Sequence, residues 1–198
     1  MTNKILLQNA LRACESLKKS FYKIIIGKNG HEVIINLHFP YDCFFHLLGL
    51  QYLVDIHELR NNRNAEREYD RLLKNTEFLR EKVLNSQFLT EDVTSRWTAL
   101  TKLEYILDNN LETYYDKKNY YGGRIDNINF DYAFHLKNGD TIISFYFIKN
   151  VGSNDYKMVS NFENAEPKRH CGRPFTLIKK TKVNLATNTV VELYAFGE

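Results

Sequence analysis

The chain has 198 residues, of which 43% are hydrophobic and 14% aromatic, and its formal net charge is +3. This composition excludes a disordered chain, and the mild net charge is too small to indicate nucleic-acid binding by itself. Cys14, Cys43 and Cys171 lack the spacing of a metal site, so we expect free thiols in a reducing cytoplasm. The amphipathic start is unlike a signal peptide, and no apolar run reaches the about 20 residues of a membrane helix.

The chain opens with a predicted helix followed by a predicted β-hairpin. Residues 3–20 place apolar side chains at helical spacings of three and four. Phe21–Ile26 and Glu32–Leu37 then flank the dipeptide Asn29-Gly30, which is typical of a tight hairpin turn.

The most apolar stretch, Pro40–Leu59, predicts one buried helix with Asp42 as its N-cap. His46 lies inside this apolar run, in the first turn or so, where the helix dipole favours a neutral imidazole. Gly49 is expected in the helix interior, where it costs about 1 kcal/mol relative to alanine. Two locally unfavourable residues in one helix point to a function, although for Gly49 close packing of the helix on the sheet is the better explanation.

Two more helices are predicted before the period changes near residue 110. A charged helix covers about residues 65–89, and Thr90 is the N-cap of a second helix that ends near Asn109. Beyond it, alternating residues predict six strands: Leu111–Tyr115, Asn129–Leu136, Thr141–Ile148, Met158–Glu163, Pro174–Val183 and Thr189–Phe196.

The order of these elements predicts an α+β fold, with N-terminal helices and a small hairpin packed on a C-terminal antiparallel sheet. We expect residues 1–198 to form a single domain, with a helical part at about 1–110 and a sheet part at about 111–198.

The segment 44–56, FFHLLGLQYLVDI, resembles a signature of a phage-associated group within the superfamily of barnase-, EndoU-, colicin- and RelE-like ribonucleases. The similarity extends loosely to Ser160-Asn161-Phe162 and to the basic strand Phe175–Lys180. The resemblance implies a compact α+β nuclease of a phage, mobile-element or toxin context.

RNA cleavage by a 2′-OH without a metal needs a base with a near-neutral pKa, and cations and hydroxyl donors on the phosphate. His46 fits the role of general acid or base, and it also fits that of a core histidine bonded to a carbonyl. Ser160 and Thr176 are the candidate hydroxyl donors, although a serine is also ordinary in a strand. Lys149 and Arg96 are candidate phosphate ligands, but strand ends often carry lysine and an arginine stem often covers a core.

The segment Glu166–Lys182 concentrates basic residues against a single acidic one. We predict that it contacts RNA through six side chains: Lys168, Arg169, Arg173, Lys179, Lys180 and Lys182. Thr176, Ile178 and Lys180 are expected on one face of a strand, so that the first and last meet a phosphate together. A solvated strand face explains the same pattern.

The leading hypothesis is a metal-independent endoribonuclease that needs no cofactor, acts on RNA, and is restrained by an inhibitor or antitoxin protein. The alternative is a non-catalytic RNA- or nucleoprotein-binding module on the same fold, such as a phage counter-defence protein. A third hypothesis is a domain that binds only protein. The histidines and cysteines show no zinc-site spacing.

Overall fold

The computed structural model describes residues 2–59, 65–74, 76–117, 128–138, 141–163 and 173–197. Helices near the N-terminus and an eight-stranded sheet enclose one large hydrophobic core. The predicted α+β class is confirmed.

Helix α1 (Asn3–Leu17) leads into strands β1 (Ser20–Lys28) and β2 (His31–His38). Asn29 and Gly30 connect the strands with φ angles of 53° and 79°. Two successive left-handed residues form the turn whose twist matches that of the strands it joins. The predicted hairpin is confirmed, and both strands are slightly longer than the sequence pattern indicates.

Helix α2 covers only Tyr41–Leu47, so the prediction of one helix to residue 59 is wrong. Gly49 adopts a φ of 71° and ends the helix, and the 3-10 turns Leu50–Tyr52 and His57–Leu59 follow. The N-cap prediction is also wrong, because Asp42 lies within the first turn and not before it. Burial on all sides accounts for the apolar run without requiring a continuous helix.

The predicted charged helix is divided into α3 (Ala65–Lys74) and α4 (Thr76–Leu84). Arg80 donates hydrogen bonds to two carbonyls in the last turn of α3, at 3.2 and 3.0 Å. These contacts stabilise the end of α3, where helical carbonyls lack intrahelical partners. Helix α5 (Glu91–Asp108) follows Thr90 as predicted, although the Thr90 side chain makes no capping hydrogen bond.

The remaining strands are β3 (Thr113–Asp116), β4 (Tyr132–Asn138), β5 (Thr141–Lys149), β6 (Asp155–Glu163), β7 (Thr176–Asn184) and β8 (Val190–Ala195). The sheet order is β3-β4-β5-β6-β2-β1-β7-β8. The N-terminal hairpin therefore lies inside the sheet, and its β2 pairs with β6 in parallel while the other pairings are antiparallel.

Successive side chains of a strand point to opposite faces, and the two faces of this sheet differ. One face sends Tyr22, Ile24, Leu37, Phe145, Phe147 and Met158 into the core. The other, called the open face here, carries Phe21, Lys23, Asn36, His38, Asp155 and Lys157. These six side chains are all at least partly exposed, whereas Ala133 and Tyr146 on the same face of β4 and β5 are buried in a second, smaller cluster with Phe130.

Candidate active site around Arg96

Arg96 on α5 is 2% exposed, and its guanidinium group is held by two hydroxyls. Nη1 donates to Oγ of Ser160 at 3.2 Å, and Nη2 donates to the phenolic oxygen of Tyr52 at 3.4 Å. The guanidinium carbon lies 4.4 Å from the ring centre of Phe162 and 5.2 Å from that of Tyr52. The cation is therefore enclosed by aromatic rings and neutral hydroxyl groups.

Within the described residues, Arg96 forms no salt bridge with a carboxylate, and its Nε has no hydrogen-bond partner. Burial lowers the pKa of Arg96, against the opposing influence of Tyr52 and Asp92. An arginine stays protonated even so, because its intrinsic pKa is above about 12. A buried charge without a directly bonded counter-ion is costly, and such a site favours the binding of an anion.

Three contacts fix the path of Arg96. A Cβ atom on Gly49 would lie 3.0 Å from Cδ of Arg96, so the left-handed glycine leaves room for the arginine stem. The indole of Trp97 donates to the carbonyl of Leu48 at 2.9 Å and ties the end of α2 to α5. The side-chain amide of Asn161 donates to the backbone carbonyl of Arg96 at 2.9 Å.

Ser160 reaches Arg96 because strand β6 contains a β-bulge. The register shifts from Tyr146–Ser160 to Phe147–Met158, which leaves Val159 as the extra residue. Met158 and Ser160 would otherwise share a face, but the bulge separates them, as bulges commonly do when they redirect a side chain. Met158 consequently joins the core, while Ser160 lies on the open face with Lys157.

His46 lies in the last turn of α2 and is only partly buried. Burial lowers its pKa most strongly, with Lys157 and Arg96 acting in the same direction and Asp42 acting against them. The imidazole is therefore neutral near pH 7. The reason predicted from the helix N-terminus is wrong, since His46 is at the opposite end of the helix.

Two further charged residues join this site, and sequence reasoning did not identify them. Nζ of Lys157 lies 2.6 Å from Oδ2 of Asp42. Asp42 and His46 are four residues apart and share a helical face, a spacing that was readable from the sequence. Lys157 had no such signal, because it comes from β6, 115 residues from Asp42. Arg96 and Ser160 are thus joined by a hydrogen bond, and His46 lies close enough to Arg96, Lys157 and Asp42 for their charges to shift its pKa.

Two predicted catalytic residues lie elsewhere. Lys149 pairs with Tyr156 at the end of β5, on the face opposite Ser160, because residues 147 and 149 share the core face. Thr176 pairs with Gly27, at the far end of the β1–β2 hairpin from the parallel pairing. Gly27 pairs with Glu32, which is four positions before Asn36, where the parallel pairing with β6 begins. Four positions correspond to about 13 Å along a strand, and Ser160 is farther still.

The basic strand β7 does not present the predicted row of RNA ligands. Lys180 is fully buried in an ion pair with Glu112, and Lys182 bridges Glu104 and Asp108 at 2.8 Å each. Thr176 and Lys180 lie on opposite faces, because Ile178 forms a bulge against β1. The prediction that they share a face is wrong, and so is the phosphate-binding role of the inaccessible Lys180.

The other predicted RNA contacts have mixed positions. Lys179 is half-exposed and lies 2.5 Å from Glu192. Arg173 is exposed and lines a cleft of about 460 Å³ at the tip of the β1–β2 hairpin, together with Thr176. Lys168 and Arg169 lie outside the described residues.

Almost the whole chain matches one known protein family. Residues 6–195 match the model of the phage-Barnase-EndoU-ColicinE5/D-RelE like nuclease4 family. The chain belongs to this nuclease family. No curated protein and no solved structure matches it.

Membership of this nuclease family indicates a nucleic-acid substrate, and the segment 44–56 contributes residues to the candidate site. That segment supplies His46, the helix-ending Gly49 and Tyr52, all of which surround or adjoin Arg96. In the described part of the chain, no three His, Cys, Asp or Glu side chains form a group that could hold a metal ion. None of the described helices is both long enough and apolar enough to cross a membrane.

Proposed function

We propose that the protein is an endoribonuclease that cleaves RNA by attack of a ribose 2′-OH on the adjacent phosphate, without a metal ion. The observation that carries this proposal is the buried Arg96 guanidinium, whose described partners are hydroxyls and aromatic rings. The planar fork of a guanidinium can bind two oxygens of a phosphate at once, and the phosphate would supply the absent counter-ion.

Tyr52 is the residue that a phosphate would displace. Its side chain covers the guanidinium group, yet Tyr52 is 49% exposed. Rotation of this one side chain would open Nη2 to a phosphate oxygen while the bond from Nη1 to Ser160 is kept. In the transition state Arg96 stabilises the charge that develops on the phosphate, and electrostatic stabilisation of this kind commonly contributes more to catalysis than any other single effect.

His46 is the general base in this mechanism. A neutral imidazole accepts the proton of the 2′-OH, and the pKa of His46 is lowered in the required direction. Lys157 adds a second positive charge beside it, and Ser160 supplies a hydroxyl donor next to Arg96. Arg173 and the segment that includes Lys168 and Arg169 remain proposed contacts to the rest of the RNA.

Two further expectations follow, one from the proposed function and one from the fold. Such a nuclease would damage its own host, so we expect a protein inhibitor or antitoxin. The interleaving of strands from residues 20–38 with those from 113–195 supports a single domain over residues 1–198.

The proposal is tested by incubating the purified protein with total RNA, with and without EDTA. We expect cleavage that resists EDTA, ends in a cyclic phosphate, and is lost in His46→Ala and Arg96→Lys. The exposed Arg12 on α1 gives the matched control Arg12→Lys, which should cleave as wild type does.

Other outcomes favour the other functions. Binding of RNA without cleavage would support the non-catalytic module. Absence of binding even at low salt, where phosphate contacts are strongest, would support a domain that binds only protein.

A further inference from the structure

A second histidine lies on the open face at the end of β2. Nε2 of His38 is 3.4 Å from Oδ1 of Asp155, and the two side chains are 34% and 44% exposed. The ring of Phe21 stacks on the imidazole at 4.7 Å with an interplanar angle of 16°. This ring is held on one face and at one nitrogen while it still reaches solvent.

The carboxylate that orients His38 is itself fixed. The side-chain amide of Asn36 donates to Oδ1 of Asp155 at 3.1 Å, and the backbone N–H of Asp155 donates to Oγ of Ser153 at 3.0 Å. The hydrogen bond from Asn36 is the main cause that lowers the pKa of Asp155, so the carboxylate is charged at neutral pH. A carboxylate bonded to one ring nitrogen fixes the orientation and the tautomer of an imidazole.

The parallel pairing of β2 with β6 brings this histidine to the Arg96 site. His38 is the register partner of Lys157, and paired residues on neighbouring strands lie about 5 Å apart. Lys157 in turn binds Asp42, which shares a helical face with His46. Lys157 therefore lies beside His38, and it is close enough to His46 to lower the pKa of that imidazole, although β2 and β6 are far apart in the sequence.

His38 is poorly explained as a packing residue. It lies outside the buried core, and in the described part of the chain its Nδ1 makes no hydrogen bond. A histidine with one nitrogen on a carboxylate and its ring partly open to solvent is arranged to exchange a proton.

We propose that His38, oriented by Asp155, is the second proton-transfer residue of the nuclease site and protonates the leaving 5′-oxygen. This inference rests on the proposed ribonuclease function. As the 2′-oxygen forms its bond to phosphorus, His46 takes the 2′-OH proton, the bond from phosphorus to the 5′-oxygen breaks, and His38 gives its proton to that oxygen. The products are a 2′,3′-cyclic phosphate and a 5′-hydroxyl, and no oxidant or reductant is required.

The test compares ordinary RNA with an RNA whose scissile 5′-oxygen is replaced by sulfur. A thiolate leaves without being protonated, so this substrate bypasses a general acid. We expect His38→Ala to slow cleavage of the oxygen substrate by about 10²–10⁴-fold, the usual contribution of a general acid, and to cleave the sulfur substrate at nearly the wild-type rate. Asp155→Asn should show a smaller loss with the same rescue.

Two histidine variants complete the design. His46→Ala should be slow on both substrates, because the base is needed whatever the leaving group. His57→Ala, at an exposed histidine in a 3-10 turn, should match wild type on both. Circular dichroism of each variant confirms that it is folded.

Each other result overturns the inference. Wild-type cleavage of the oxygen substrate by His38→Ala, with His46→Ala inactive, would leave the ribonuclease function standing and remove His38 from it. An equal loss on both substrates would show that His38 only supports the structure. If the wild-type protein cleaves neither RNA, the proposed function fails and the role of His38 fails with it.

Discussion

Lys180 on β7 and Arg96 on α5 are both cations removed from solvent, but their surroundings differ. Lys180 forms an ion pair with Glu112, which also accepts a hydrogen bond from the hydroxyl of Tyr114 at 2.7 Å. Arg96 meets the hydroxyls of Ser160 and Tyr52. One cation is neutralised within the fold, and the other has no carboxylate partner among the described residues.

The difference distinguishes a charge that is neutralised within the fold from one that we propose to be functional. The two charges of a buried ion pair neutralise each other, so Lys180 cannot bind a substrate without leaving the Glu112 carboxylate unpaired. The Arg96 site retains its positive potential, and it adjoins a half-buried histidine whose pKa is lowered by burial. A high density of basic residues in the sequence marked the first region, yet the second is the one that we propose to bind phosphate.

The largest expected effect is the loss of stability when Lys180, the neutralised cation, is replaced. Lys180→Met leaves the Glu112 carboxylate buried without its partner, and we expect unfolding to become easier by about 3–5 kcal/mol. The matched variant Lys179→Met breaks a half-exposed pair with Glu192 and should change stability by less than about 1 kcal/mol. Urea unfolding of both variants measures the contrast, and equal losses would refute it.

Arg96→Met should lower cleavage without lowering stability, in contrast to Lys180→Met. We expect cleavage to fall by about 10²–10³-fold, or about 2.7–4 kcal/mol, as when a transition-state donor is removed. Stability should stay the same or rise, because no carboxylate is left unpaired and a buried charge is removed. Cleavage rates and urea midpoints measured on one preparation test both parts, and a stability loss like that of Lys180→Met would contradict the comparison.

His135 differs from Lys180 and Arg96 because it is a buried titratable group that is neutral at neutral pH. Burial lowers the pKa of His135 from 6.5 to about 4. Since the folded pKa is below the unfolded one, the unfolded chain binds more protons, and stability present above pH 6.5 is lost as the pH falls towards 4. A shift of this size corresponds to roughly 3 kcal/mol. The free energy of unfolding, taken from unfolding curves between pH 7 and 4, should therefore depend less on pH in His135→Leu than in wild type.

Gly49→Ala tests how closely Arg96 is positioned. An L-residue at a φ of 71° costs about 1–2 kcal/mol, and the new Cβ lies 3.0 Å from Cδ of Arg96. Gly30 has a φ of 79° with no atom near a new Cβ, so Gly30→Ala gives the same strain without the contact. We expect similar stability losses but reduced cleavage only for Gly49→Ala, and equal cleavage would remove Gly49 from the site.

The smallest effect is expected for Tyr52→Phe, which keeps the ring over Arg96 and removes one hydroxyl. The loss of this bond at 3.4 Å should cost about 0.5–1.5 kcal/mol. Because the substrate phosphate is proposed to replace this hydroxyl, the Michaelis constant should change little or decrease. A large rise in that constant would show that Tyr52 holds the substrate directly.

Much of the fold followed from local pattern. Asn29-Gly30 predicted the hairpin because few other residue pairs adopt two left-handed conformations in succession. The change from helical to alternating periodicity near residue 110 marked the start of the C-terminal strands, and the segment containing His46 and Gly49 carried the resemblance to the nuclease family.

What only the tertiary structure decided was the partner of each polar side chain. Bulges at Val159 and Ile178 change which face the following residues occupy, and a bulge depends on pairing with a neighbouring strand. The partners themselves lie far apart in sequence, as Lys180 and Glu112 do at a separation of 68 residues. Sequence alone therefore located the segment of the candidate site, while the tertiary structure determined that Arg96 forms no salt bridge among the described residues and that Lys180 forms one.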